Sequence, residues 1–310
     1  MKNKNLFKVE EDLSGVRIDR WIKKYYPKLS HNNLEKILRT GQVRVDGKRI
    51  KSNFKLEIGA LIRVPPFLEE YKVIEKFSYQ VSAKEQLKKY IIYEDINFLA
   101  INKPPNIAVQ GGTKIRKHLD GILKSSYKSI QPRLVHRLDK ETSGILLVAK
   151  NRKTANHLTY AFKMKKITKH YWAITNGDFL NKNGIINIDI RGKNSEKLYS
   201  SLTYYHKYMK INNKLNWIIF RPITGRNHQI RIHSKSMGAP ILGDKKYDNL
   251  FKESNNGLHL HSRSIEFSDL DGKKFFFEAP LPVHMVKTWE KYNLPMKSDF
   301  SGFKEFILES

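Results

Sequence analysis

The chain has 310 residues, 40% of them apolar and 11% aromatic, which is room for one large core and a smaller one. No run approaches the roughly 20 consecutive apolar residues of a membrane helix, and the absence of cysteine excludes disulfides, thiolate zinc sites, iron–sulfur clusters and cysteine nucleophiles together. A formal charge of +28, from 58 basic and 30 acidic residues, points to a polyanionic partner, because neutralising phosphates releases condensed counterions. Codon bias could produce part of that excess, since 43 of the basic residues are Lys, so position along the chain says more than the total.

The N-terminus, MKNKNLFKVEEDLSG, is basic but lacks an apolar signal core, so a soluble cytoplasmic protein is expected. Residues 15–64 carry 13 Lys/Arg and 4 Asp/Glu, a net +9. Ile18, Trp21, Ile22 and Tyr25 follow helical spacing, and Leu34, Ile37 and Leu38 do so again behind Ser30, a good N-cap. Gly41 ends the second helix. Val43 and Val45 then alternate with polar residues before Asp46-Gly47, which predicts a hairpin. This small αα-plus-β-hairpin unit resembles the S4 RNA-binding domain through Arg17, Ile18, Asp19, Gly41, Val43, Val45 and Gly47. Lys36 and Arg39 on the second helix, with Arg44 on the first strand and Arg17, are the expected RNA contacts; a merely solvated charged face is the alternative. The S4 pattern occurs on proteins of many activities, so it names a ligand and not a reaction.

Pro65-Pro66 opens a mixed stretch that reads as a linker over 65–89, including the short Lys84–Lys89 run. Two apolar strands follow in IIYEDINFLAINKPPNIAV, separated at Glu94-Asp95. Further strands are predicted at Gly144–Ala149, Tyr171–Thr175, Gly184–Ile190, Ser201–Tyr208, Trp217–Phe220 and Gln229–His233, and a helix at Arg152–Phe162. The expected second domain, 90–290, is therefore α+β and strand-rich, with 291–310 a C-terminal extension.

HRLDKETSG places Asp139 in a polar turn just before the apolar strand Ile145–Ala149. A carboxylate on a loop held by a buried strand can be a positioned nucleophile; spacing alone favours an Asp-capped turn without chemistry. In TGRNHQIRIH, read as a half-buried strand, Gln229, Arg231 and His233 share one face. An inward Arg requires a carboxylate, and Asp139 is the obvious candidate. No H-E-x-x-H, phosphate loop or G-x-G-x-x-G is present, so neither a metal nor a small-molecule cofactor is expected.

HRLDKETSGILLVAK resembles the catalytic-loop motif of the RluA family of pseudouridine synthases, and TGRNHQIRIH with GDKKY resembles its C-terminal motif. INKPPNIAVQGG, KHYWA and the leading S4-like unit agree in order, so the likeness covers about residues 15–285. It implies a larger, mixed, mainly antiparallel-sheet synthase domain behind the S4-like one. It also implies isomerisation of uridine to pseudouridine in structured RNA, most like the members acting on large-subunit ribosomal RNA, by a monomer without cofactor. On that resemblance Asp139 is the catalytic carboxylate. Arg231 pairs with it, Tyr171 lies against the uracil, and its phenol helps remove the C5 proton. Arg137 fills the space left by the everted uridine. Lys103-Pro104 is structural in the family, and His136, His228 and His233 read as hydrogen-bonding scaffold. Asn227 stands where the family has Thr, and Ser30-His31-Asn32 lacks the Ser-Arg of many S4 domains. The alternative reading is a non-catalytic RNA-binding or ribosome-assembly factor on the same scaffold. A glycoside hydrolase using Asp139 and Glu141 fails, because residues two apart on one loop do not flank a scissile bond.

Overall fold

Both helices predicted near the N-terminus form where their apolar spacing places them. The computed structural model describes residues 5–71, 87–111, 118–127, 130–192, 196–248, 257–297 and 303. The chain divides into two units, Met1–Tyr79 and Gln80–Ser310. In the first unit, α1 (Ile18–Tyr25) buries Ile18, Trp21 and Ile22. α2 (His31–Arg39) begins at Ser30, whose hydroxyl accepts the Asn33 N–H at 3.2 Å, and buries Leu34, Ile37 and Leu38. These faces share a core with an antiparallel sheet of β1 (Leu6–Lys8), β2 (Arg44–Val45) and β3 (Leu61–Arg63), with β3 in the middle.

The hairpin expected after Val45 is only a stub. Asp46 and Gly47 have the positive φ of a tight turn, 47° and 74°, but Val45 meets Lys48 through an isolated bridge. β2 pairs instead with β3, because Asp46 binds Leu61 twice: its N–H reaches the Leu61 carbonyl at 2.9 Å and its carboxylate accepts the Leu61 N–H at 2.7 Å. The core also takes Val9, Leu13 and Leu68, so the unit is wider than 15–64. Leu68 lies in a 3₁₀ helix, Pro66–Tyr71, and Leu87 packs in the second unit. The stretch read as a linker over 65–89 is thus anchored at both ends, by single apolar residues that show no periodicity; residues 72–86 lie outside the described ones.

Among the described residues the second unit is built on ten strands: β4 (Ile91–Glu94), β5 (Phe98–Lys103), β6 (Arg133–Leu134), β7 (Ser143–Ala149), β8 (Thr168–Asn176), β9 (Asn183–Arg191), β10 (Leu198–Lys210), β11 (Leu215–Pro222), β12 (Leu260–Ser268) and β13 (Lys274–Glu278). The sheet runs β4-β5-β7-β12-β8-β11-β10-β9, with β6 on β7 and β13 on β12. It is mixed and mainly antiparallel, as expected; β7 and β12 pair in parallel. Alternate residues sort to two faces, as the period of two demands. Leu146, Val148, Tyr171 and Ala173 enter one core, which α3 (Leu119–Ser126) covers through Leu119 and Leu123. On the other face Ile145 and Leu147 pack with Leu158 of α4 (Arg152–Lys163), while Trp172 and Ile174 pack with Trp289 of α6 (Val283–Lys291).

One strand expectation needs correction. Gln229–His233 is not a strand but the start of a helix, α5 (Gln229–Ser236), buried at Gln229, Ile230, Arg231, His233 and Ser234. Two alternating isoleucines are too few to set a period, and the helix is started by local polar bonds: the Gln229 amide oxygen accepts the Thr224 hydroxyl at 2.7 Å and the Arg226 N–H at 2.9 Å. In the C-terminal extension, Leu294 and Phe303 lie in the core beside Trp289; residues 298–302 and 304–310 lie outside the described ones. No described helix is long and apolar enough to cross a membrane.

Candidate active site

Asp139 lies half-buried in the loop between β6 and β7, and that loop is tied on every side. Leu138 is in the core beneath it. One residue beyond Asp139, the Lys140 carbonyl accepts from the Lys103 ammonium at 3.1 Å, which also donates to Pro104 and Ile107 carbonyls at 3.0 and 2.9 Å. Burial pushes Lys103 down to about 7 while Asp139 pulls it up, and three carbonyl acceptors match the three N–H donors of the charged form. Upstream, the His136 Nε2 accepts the Leu147 N–H at 2.8 Å. Downstream, Ser143 bonds His261 at 2.9 Å, whose other nitrogen donates to the Ala279 carbonyl at 3.2 Å. Gly144 follows at φ +109°; a Cβ there would sit 2.3 Å from the Ser262 carbonyl oxygen, so only glycine lets β7 meet β12 at the loop's exit.

Arg231 is 2% exposed and does not make the expected bond to Asp139. Its Nε and Nη2 form a fork on Asp244 at 2.7 and 2.6 Å, and its Nη1 reaches Glu141 at 3.0 Å. The reason is geometric: on a helix, Arg231 is aimed at the Gly243-Asp244 turn 13 residues on, where the Lys246 and Tyr247 N–H groups also bond the Asp244 carboxylate. Burial opposes the guanidinium charge, but Asp244 first, then Glu141 and more distantly Asp139, raise its pKa above the usual value. Arg231 therefore braces the Asp139 loop through Glu141. Among the described residues no hydrogen bond or ion pair reaches the Asp139 carboxylate itself.

Tyr171, on β8, is 9% exposed. Burial pushes its phenol up to about 12, with Ser262 pulling it down and the charge of Asp139 adding to the rise, so it is protonated at neutral pH. His228 has φ +54°, a left-handed conformation that costs a β-carbon residue about 1 kcal/mol, and bonds the Tyr247 hydroxyl at 3.1 Å. Burial lowers its pKa, as do Arg231 and Lys246, while Asp139 and Asp244 oppose. The other two histidines are scaffold, as expected. His136 holds Leu147, and His233 bonds Ser201 at 2.7 Å.

A cavity of about 700 Å³ brings the sequence-derived residues together: Arg137, Asp139, Tyr171 and Arg231 line it, with His228 and Leu260. Arg137 is exposed at its edge. Sequence reasoning missed Asp244 and gave Glu141 no such role, although GDKKY and HRLDKETSG held both. In the first unit, Lys36 and Arg39 are exposed. Arg17 pairs with Asp19 at 2.7 Å, and Arg44 donates to the Gly41 and Gly47 carbonyls, each at 3.2 Å, so Arg44 is in part a turn clamp.

Asp139, which no hydrogen bond or ion pair reaches among the described residues, and the buried Tyr171 line one cavity of a strongly basic chain, an arrangement suited to chemistry at a sugar–base unit of RNA. Comparison with known proteins agrees. The family model for RNA pseudouridylate synthase matches residues 97–236. A Rickettsia typhi protein named ribosomal large subunit pseudouridine synthase C is 37% identical over 292 residues, 87% of this chain and 95% of its own length. Its Vibrio cholerae namesake is 34% identical over 310 residues, covering 91% and 95%. The solved structure of human RNA pseudouridylate synthase domain containing 4 superposes with a TM-score of 0.61 at 26% identity, over 72% of this chain and 99% of that one. This chain belongs to the RNA pseudouridylate synthase family. It is an isomerase that forms pseudouridine in RNA.

Proposed function

We propose that the enzyme modifies large-subunit ribosomal RNA and that Asp139 is its catalytic carboxylate. The observation that carries this is the cavity that holds Asp139, Tyr171, Arg137 and Arg231 together in a chain aligned over almost the whole length of relatives named for that substrate. The reaction breaks N1–C1′, turns the bound uracil and rejoins it through C5, whose proton leaves while N1 gains one. Asp139 either attacks C1′ or acts at C2′ while charge develops on the sugar; a carboxylate without another partner suits both routes. Tyr171 lies against the detached base. Its phenol, held protonated chiefly by burial, stands beside the base whose C5 proton must leave. Arg137 takes the place of the everted uridine, and Arg231 acts as a brace rather than as the direct partner of Asp139.

The first unit is an S4-type RNA-binding module in this reading, with the exposed Lys36 and Arg39 among its cations and Arg17 and Arg44 contributing beside them. In this reading the enzyme acts in the cytoplasm, as a monomer and on RNA alone. The test is to incubate the purified protein with ribosomal and transfer RNA from cells lacking its gene and to map pseudouridines in both. New sites in large-subunit RNA support the proposal; sites confined to transfer RNA overturn the substrate.

A further inference from the structure

Lys169 stands two residues before Tyr171 on β8, so the two side chains leave the same face, about 6.8 Å apart along the strand. Both line the cavity. The Lys169 ammonium is half-buried and lies 5.8 Å from the centre of the Phe162 ring. No carboxylate, carbonyl or hydroxyl among the described residues pairs with it. Other well-covered lysines of this unit all have such partners: Lys103 has three carbonyls, Lys150 has Glu94 at 2.8 Å, and Lys207 has Asp178 at 2.9 Å.

Among the described residues no acid pairs with Lys169. The titratable neighbour is His136, whose Nε2 is committed to the Leu147 N–H and which burial, with the charge of Lys169, pushes down to about 3. Exposed Lys163 and Lys165, where α4 ends, line the same side of the cavity, and exposed Arg137 lies near. Asp139 is the one acid among the lining residues. A half-buried ammonium without a counter-ion is costly, and such a group is retained where an anion completes it. Burial lowers Lys169 to about 8, which leaves it mostly charged at neutral pH and ready to be raised by that anion.

We propose that Lys169, with Lys163 and Lys165 at the rim, forms a subsite for one backbone phosphate of the RNA beside the everted uridine, so that the sugar stays anchored while its base turns against Tyr171. The inference rests on the reading of Asp139 and Tyr171 as the reaction centre. Lys169 is a positioning residue, since it touches the backbone and not the reacting atoms.

The test measures binding of the full-length protein to a large-subunit ribosomal RNA transcript across a potassium chloride series. Lys169→Met is expected to weaken binding about tenfold at low salt and to lower the slope of log affinity against log salt by about 0.7 to 0.9, the value of one phosphate contact. Lys169→Arg should restore the slope. Because Lys163 and Lys165 are exposed, Lys163→Met/Lys165→Met keeps the fold and should also lower it. An unchanged slope in Lys169→Met and in the double variant overturns the subsite, and weaker binding at unchanged slope assigns Lys169 to the base or to packing instead. Asp139→Asn on the same transcript separates the two readings: if it modifies RNA normally, the reaction centre is wrong, whatever the slopes show.

Discussion

Two cations face one cavity and are treated in opposite ways. Arg231 is locked between Asp244 and Glu141, while the Lys169 ammonium has no carboxylate partner among the described residues. The difference separates structure from binding. A cation whose every donor is matched by a carboxylate holds protein parts together; one left without a partner is available to the polyanion. The +28 total could not tell these apart.

The comparison breaks most visibly at Asp244. Asp244→Asn takes the fork's charge away and leaves Arg231 buried with Glu141 alone, so about 3–5 kcal/mol of stability should go, read as a lower midpoint in urea unfolding. A loss under 1 kcal/mol would mean that Arg231 is not a brace. Tyr171→Phe comes next. It keeps the ring but removes the hydroxyl, so RNA binding should persist while product forms about 100-fold more slowly; unchanged turnover would confine Tyr171 to stacking.

Acid sharpens the contrast from both ends. His136 beside Lys169 and His233 on the Arg231 helix are lowered to about 3 and 4 chiefly by burial. The unfolded chain therefore takes up protons below about pH 6.5 that the folded chain refuses, and acid favours unfolding. Their stabilisation is whole above pH 6.5 and falls by up to about 1.4 kcal/mol per pH unit for each as pH drops toward 4. Chemical denaturation at pH 7 and pH 5 measures it, and equal midpoints would contradict these burials. Smallest is Glu141→Gln, at the half-exposed arm of the brace: about 1 kcal/mol of stability, with a modest fall in turnover as the Asp139 loop loosens.

Most of the sheet was legible because its strands are apolar runs long enough to show their period, as at Ile145–Ala149, which lies in a strand buried from end to end. The Ser30 cap and both N-terminal helices were legible for the same reason. β12 was not: its run carries His261, Ser262 and Ser264 fully buried, and polar residues satisfied inside a core look like a loop in sequence. The site divides along the same line. Asp139, Tyr171 and Arg137 were found through local motifs, and the cavity unites them. The partners of Arg231 were misjudged because a helix was read as a strand, and Lys169 passed unnoticed because a missing counter-ion is a fact of three-dimensional neighbours, not of sequence.

We propose above that the Asp139 carboxylate, which has no partner among the described residues, performs the chemistry. Asp139→Asn removes its charge and almost no volume, and its effect is read by quantifying pseudouridine in a large-subunit ribosomal RNA transcript while binding to the same transcript is measured. Affinity is expected within about twofold of wild type and product formation down about 10⁴-fold or more. Pseudouridine formed at the wild-type rate by the Asn variant would contradict the proposal.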